Sequence, residues 1–576
     1  FIIVGSVDPN GKISDFSNRP GTTCLLRAGL CTGATADSLM YHFMVAPGEF
    51  MLVDDGAGAV TRMSGTSFAA PLVSGTASLI ADRWPWLTWL KSDIADIILK
   101  SATDLGAPGV DPVYGWGKLN VEAALSPLSM ANLNWKVNVG GKIVTYPSST
   151  FASTAKSSKS TWEANGAYVS IYETTNSSFR DFNIPLSSKL VGQTVGLGKE
   201  QFQFYLQSRF WNWVNSQPLT NSSSAMSFTD GEMTSAMPAY GKIHATMSLK
   251  PHQLTPGLRQ GSSRYDTALT LSMAENKVSF QFGSGNGAVA VGGQSGFQMN
   301  SDYDIHNGGA NPYLALAAGS GFASVSVALT HNLTLSSGFT SQNAVRDIKQ
   351  LDPTTASTLA GLTPYRANAN NFSLTYKPNA RLTANLSYTM LKEQSGLLGV
   401  QSLDVSDFSH GTQTDAATVG VNVEVTPSLA IAASGTVGRT RSGDLSQQNL
   451  AVSRAGLLST AFQVSMTKAK LLSSNDSARI TFSQPLHLES GSANYNSVEV
   501  VNRQTGELGV VQHSFQLQGQ ARSYVAEGIY RLPLKNSRAE FSLFGRGRIG
   551  GTASNAAYAN DRDSSVTVGA GFRIGF

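Results

Sequence analysis

Charge is scarce in this sequence. Only 14% of its 576 residues are Asp, Glu, Lys or Arg, where an ordinary soluble domain carries about 25%. Lys+Arg 42 against Asp+Glu 38 leave a net charge of +4, and no dense Lys/Arg run occurs, so no nucleic acid is expected as a partner. Cysteine is nearly absent: Cys24 and Cys31 stand alone, without a His cluster. They suit a small disulfide loop in an oxidising compartment and not a metal site; no metal and no cofactor is expected. Long apolar runs are missing too. The best candidate, Phe68 to Leu90, is interrupted by Pro71, Asp82, Arg83 and Pro85, which excludes a helical membrane span. Disorder as the main state is excluded by 41% hydrophobic residues and 56 Gly, material enough for cores. The chain opens on Phe1-Ile2-Ile3-Val4 with no initiator Met, basic n-region or apolar h-region, and reads as a strand entered midway, hence as a piece of a longer protein.

What is present falls into three stretches. Residues 1–127 mix strand-like Ile2 to Val7 with helix-like Ala69 to Ala81 and Lys91 to Lys100, an α/β pattern. Residues 128–265 are Ser/Thr-rich and β-leaning, as in Ser148-Ser149-Thr150 and Asn221-Ser222-Ser223-Ser224, and read as a β-rich connecting region. From 266 to 576 the period becomes two. In Ala380 to Met390 every even position is apolar and every odd one polar; Val419, Val421, Val423 and Val425 repeat the pattern, as do Val566, Val568, Ala570, Phe572, Ile574 and Phe576.

Short turns at His331-Asn332, Lys377-Pro378-Asn379, Thr426-Pro427-Ser428 and Lys535-Asn536-Ser537 alternate with long polar segments Ser341 to Asn370, Leu391 to Asp415 and Gly551 to Ser565. Short turns on one side and long loops on the other are the rhythm of an outer-membrane β-barrel, and alternating segments of about 9 to 11 residues match tilted strands crossing a bilayer. About twelve antiparallel transmembrane strands are expected. A soluble β-sandwich, whose core strands also alternate, is the competing reading.

The most specific local signal is Met63-Ser64-Gly65-Thr66-Ser67-Phe68-Ala69-Ala70-Pro71. Alone, a Gly-Thr-Ser is commonly a helix cap. Here Ala46-Pro47-Gly48 precedes it, and Ser101 to Gly106 and Tyr114 to Ala124 follow. Together these segments resemble the C-terminal part of the catalytic domain of subtilisin-like serine proteases, over roughly the first 125 residues. The resemblance implies that Ser67 is the nucleophile and that its N–H, at a helix start, holds an oxyanion. It also implies that Thr66 adds either a hydroxyl donor or only a turn residue, and that Gly65 lets substrate approach closely. The family order is Asp, His, oxyanion Asn, Ser; none of the first three motifs occurs before Ser67, so the sequence is expected to be catalytically incomplete. His42, in Tyr41-His42-Phe43-Met44, lacks the motif of the missing base and is expected to be an ordinary His. His410-Gly411-Thr412 and Gly545-Arg546-Gly547-Arg548-Ile549-Gly550 imitate a His motif and a dinucleotide loop by chance; in the latter, alternation points arginines into a wet lumen.

A subtilisin-like part followed by a terminal barrel resembles autotransporter-type secreted serine proteases of Gram-negative bacteria. That resemblance implies a serine endopeptidase acting on peptide or protein substrates. It further implies a barrel in outer-membrane lipid, inserted with barrel-assembly machinery, and a protease exposed at the cell surface or secreted. The alternative from another class is an anchoring or transport barrel carrying a degenerate protease remnant.

Overall fold

The apolar run at the start of the chain forms a strand, Ile3–Val7 (β1), which pairs in parallel with Phe43–Pro47 (β2), in the register Ile3 to Phe43 through Val7 to Pro47. The computed structural model describes residues 1–24, 38–129, 132–147, 166–191, 233–236, 242–251, 258–259, 265–273, 277–346, 364–402, 404, 406–442, 448–517, 522–534, 539–550 and 564–574. The chain divides into two compact units. Unit 1 comprises Phe1–Ser149, Val169–Ile184 and Ser497–Val511; unit 2 comprises Thr150–Tyr168, Pro185–Asn496 and Gln512–Phe576.

In unit 1, β2 lies between β1 and the segment 115–119, where Val45 N donates to Gly117 O and Leu119 N to Val45 O. A hairpin of Met51–Asp54 (β3) and Val60–Met63 (β4) leads to an 18-residue helix, Thr66–Arg83 (α1). Ala69, Val73, Thr76 and Ile80 form one buried stripe of α1, at the spacing an amphipathic helix requires. Against it pack Met44, Ala46, Trp84, and Ile94, Ile97 and Ile98 of Lys91–Lys100 (α2). Val121–Leu125 (α3) is capped by Asn120, whose side chain accepts from Ala123 N.

A four-stranded sheet follows, from Leu133–Val139 (β5), Lys142–Pro147 (β6), Tyr168–Thr174 (β7) and Phe179–Pro185 (β8), in the order β6-β5-β7-β8. Fully buried Arg180 joins it to the end of α3. The guanidinium bonds Glu173, Ala124 O and Ser126 O, and lies over Trp84 and Phe182. Burial pulls the Arg180 pKa down, and the Glu173 carboxylate opposes that shift. Of residues 128–265, expected as a connecting region, 128–149 and 169–184 belong to unit 1 and the others to unit 2; the buried Arg180–Glu173 pair and the aromatic rings tie the first two pieces to the preceding stretch.

Unit 2 is dominated by a 16-stranded sheet. All its pairings between sequence neighbours from Met233–Ala236 to Ser564–Ile574 are antiparallel. Among the described residues three of its strands precede Tyr265 and thirteen follow from there on. The polarity of its faces is inverted relative to a soluble core. Leu386 is 55% exposed and Val419 55%, while Thr389 and Thr418 are both 0% exposed. The apolar face points out and the polar face in, which a sandwich core would reverse.

Strands also run further than alternation alone suggested. Tyr365–Asn379 and Thr412–Thr426 each have 15 residues and occupy part of the segments expected as loops. In Thr412-Gln413-Thr414-Asp415 both faces are polar, so the hydrophobic period ends while the hydrogen-bonded ladder continues. The connections still alternate in length: 380–381 and 427–428 are short, while 285–320 and 491–523 are long.

The polar inner face is filled. Residues 285–320 carry three short helices, Ala288–Gly292 (α4), Asn300–Tyr303 (α5) and Pro312–Leu316 (α6), whose Tyr303, Tyr313 and Leu314 are fully buried. Inward side chains of many strands hold this plug. Asn371 Nδ2 donates to Val291 O, Asn311 Nδ2 to Thr389 Oγ1, Thr436 Oγ1 to Ala310 O, and Ser483 Oγ to Asn307 O. Tyr313 OH pairs with Ser459 Oγ at 2.7 Å. Arg479 and Gln463 both reach Asp302 at 2.7 Å. The lumen expected to be wet around Arg548 is occupied by the plug there: Arg548 donates to His306 O and Asn307 Oδ1.

Replacing Asp302 by Asn leaves the buried Arg479 charge uncompensated. The expected loss is about 3–5 kcal/mol of unit 2 stability, read as a lower temperature at which the compact band converts to the slower unfolded band on an SDS gel.

Candidate active site

Ser67 stands at the second position of α1, just beyond the C-terminal ends of the parallel strands β1 and β2, the end of an α/β sheet where ligands bind. Two hydrogen bonds place it there. Gly48 N donates to Val7 O at 3.2 Å, and Gly65 N donates to Gly48 O at 2.8 Å, so the serine turn is stapled to the end of β2. Ser64 Oγ accepts from Phe50 N at 3.1 Å and fixes the approach from the β3–β4 hairpin.

The Ala46-Pro47-Gly48 turn now has a steric reason. A Cβ on Gly48 would lie 2.5 Å from Ser6 Oγ and 2.8 Å from Gly65 O, so only glycine admits this approach. Similarly, a Cβ on Gly115 would fall 2.1 Å from Phe43 O, which explains the glycine in the Tyr114-Gly115-Trp116 segment flanking β2.

Gly65 caps α1 in an extended conformation, Thr66 is its first residue, and Ser67 is exposed. The Ser67 N–H belongs to the first turn and has no acceptor within the helix. Among the described residues its hydroxyl makes no hydrogen bond either. Pro71, inside α1, cannot donate to Ser67 O, so the carbonyl of the same residue is also left without its helical partner. An exposed hydroxyl and an amide donor thus meet at the positive end of a five-turn helix, an arrangement suited to a developing oxyanion.

Among the described residues no histidine is recorded in contact with Ser67. Unit 1 has one histidine, His42, whose ring stacks on Phe1 with centroids 5.1 Å apart. Cys24 is disulfide-bonded, and Cys31 lies outside the described residues. His410 is exposed and contacts Ser409 Oγ in the turn entering Thr412–Thr426, and Gly545 to Ile549 lie within the strand Ala539–Ile549. Neither decoy has the surroundings of a His motif or a dinucleotide loop. Asp54 accepts from the Gly56 amide and Asp55 from the Ala57 and Ala59 amides, shaping the β3–β4 turn; the Ala57 and Ala59 amides hold the Asp55 pKa low. Among the described residues no group of His, Cys, Asp and Glu is arranged to hold a metal ion.

Residues 1–117, which contain this site, match the model of the Subtilase family, Peptidase_S8. Over 121 residues the chain is 33% identical to serotype-specific antigen 1 of Mannheimia haemolytica, covering 21% of this chain and 12% of that protein. Over 65 residues it is 40% identical to the autotransporter lipoprotein NalP of Neisseria meningitidis serogroup B, covering 11% of this chain and 6% of that one. The chain thus spans a small part of the length of either relative. Among solved structures, the anion-selective porin from Comamonas acidovorans aligns with 60% of this chain and 88% of its own, at 12% identity and a TM-score of 0.33. The outward apolar face, not that likeness, carries the description of unit 2.

The Gly48→Ala variant tests the staple. Its methyl must push Ser6 or the Gly65 carbonyl aside, and the expected cost is about 1–3 kcal/mol, seen as a lower urea midpoint for the tryptophan fluorescence of unit 1.

Proposed function

We propose that the chain is the serine-bearing part of a subtilisin-type endopeptidase held in the outer membrane by an autotransporter-like β-barrel. The observation that carries this is the placement of Ser67. It is an exposed serine in the first turn of α1, stapled through Gly65 and Gly48 to the ends of parallel strands, inside the segment that matches the Subtilase family. The chemistry is acyl transfer to the Ser67 hydroxyl from a peptide carbonyl. The Ser67 N–H receives the oxyanion, and Thr66 and Gly65 border the substrate. The proton acceptor and the second oxyanion donor come from chain other than these 576 residues. Without that base the hydroxyl is a weak nucleophile, and the chain by itself is inactive.

For unit 2, lipid around the sheet accounts for its outward Leu, Val and Phe, and closure into a barrel follows because a bilayer cannot satisfy an open strand edge. The plug favours anchoring over transport, since residues 285–320 occupy the polar inner face that a solute or an unfolded chain would pass. The protease then acts at the cell surface or is secreted.

A fluorophosphonate probe, which labels activated serines, tests the reading. The full-length parent in outer membranes is expected to label, its Ser67→Ala variant to lose the label, and the 576-residue chain to stay unlabelled. An unlabelled parent would favour an anchoring barrel with a dead serine site.

A further inference from the structure

Unit 1 is not one contiguous stretch of chain. Its third piece, Ser497–Val511, is the tip of the connection between Ser477–Ser490 and Tyr524–Leu534, two strands paired in the large sheet of unit 2. That tip is part of the core of unit 1. Tyr172 OH donates to Val498 O at 2.7 Å, and Val500 packs on the cluster containing Trp84, Trp86 and Phe179. Arg503 closes the contact with three interactions: its guanidinium pairs with Asp181 at 3.1 Å, donates to Arg83 O at 2.5 Å, and lies 5.0 Å over the Trp86 ring. Arg83 is the last residue of α1, so the cation also meets the negative end of that helix. The turn lies flat on the same ring, since a Cβ on Gly506, at φ +73, would come within 2.9 Å of Trp86 Cγ.

A second attachment runs the other way. Directly after β8, the chain leaving unit 1 enters unit 2, where Leu190–Val191 pairs with Val400–Ser402. The Lys189 ammonium is fully buried between Asp404 at 3.2 Å and Asp407 at 3.0 Å, with its charge 4.8 Å over the Tyr495 ring. A buried ammonium with two carboxylates does not let go cheaply, because separation leaves charge without a partner in a desolvated site.

We propose that these two attachments form a clasp that retains unit 1, with Ser67, on the membrane-embedded unit without help from the intervening backbone, so that one cut in residues 192–232 does not release it. The partner surface is the Trp84–Trp86–Phe179 face of unit 1, and its occupant is the chain's own 497–511 hairpin. The clasp rests on ion pairs, hydrogen bonds and packing, and is independent of whether Ser67 is active.

The test uses the full 576-residue chain in outer membranes, tagged ahead of Phe1, with a recognition sequence for a site-specific protease inserted between residues 205 and 220. After cleavage the membranes are washed and sedimented. The tagged fragment is expected to stay in the pellet in buffer and to leave it in urea. The double variant Lys189→Ala/Arg503→Glu, whose compact barrel band on cold SDS gels confirms that unit 2 has folded, is expected to release the fragment at least on the order of tenfold faster, the effect of losing one buried charged anchor. Release of the wild-type fragment into buffer would overturn the proposal, as would a double variant that holds its fragment as firmly as the wild type.

Discussion

The structure depends on one inversion of polarity: the large sheet turns Leu386, Val419 and Val437 outward and Thr389, Thr418 and Thr436 inward. Water penalises the first set and an apolar core penalises the second, so neither an aqueous sandwich nor a dry core accommodates both. The proposed bilayer outside, with a hydrogen-bonded filling inside, would accommodate both. The low charge content fits the same proposal, since a lipid-facing surface excludes Asp, Glu, Lys and Arg. So does the plug, which supplies partners to inward groups such as Asn371, Thr436, Ser483 and Arg479.

The serine site obeys a different constraint, close backbone approach. Gly48 and Gly115 admit contacts that any side chain would block, and the result is a helix start fixed against the ends of β1 and β2. Anion-directed donors at a helix N-terminus are useful only if the helix is held still, and here the core stripe Ala69, Val73 and Ile80 holds it. The geometry around Ser67 prepares for a negative charge; a proton acceptor is a separate requirement.

Much of this was legible in the residues because the signals are local. Period-two alternation located the strands, Thr426-Pro427-Ser428 located a turn, and the Gly65-Thr66-Ser67 run located a helix start; Lys377-Pro378-Asn379, expected as a turn, ends the strand Tyr365–Asn379 just before the turn at 380–381. What escaped the sequence is carried by distant pairs. The plug between Val278–Ser284 and Gly321–Ala328 has neither period, and its partners lie up to 242 residues away, as with Arg548 and His306. The 497–511 hairpin reads as one more long connection until Arg503 is found on Trp86, and Arg180 looks like a surface residue of a polar strand until Glu173 and Trp84 enclose it. The ends of the long strands escaped for a simpler reason: where both faces are polar, a ladder leaves no hydrophobic trace.

The inverted polarity is tested most directly by nitroxide scanning of residues 416–424, one spin label at a time, in the protein reconstituted into liposomes, with oxygen accessibility read at each position. Maxima at Ala417, Val419, Val421 and Val423 with minima at Ala416, Thr418, Gly420 and Asn422 are the expected result. Maxima on the even positions, or a flat profile equally accessible to a water-soluble nickel reagent, would contradict a lipid-facing apolar surface and with it the membrane barrel.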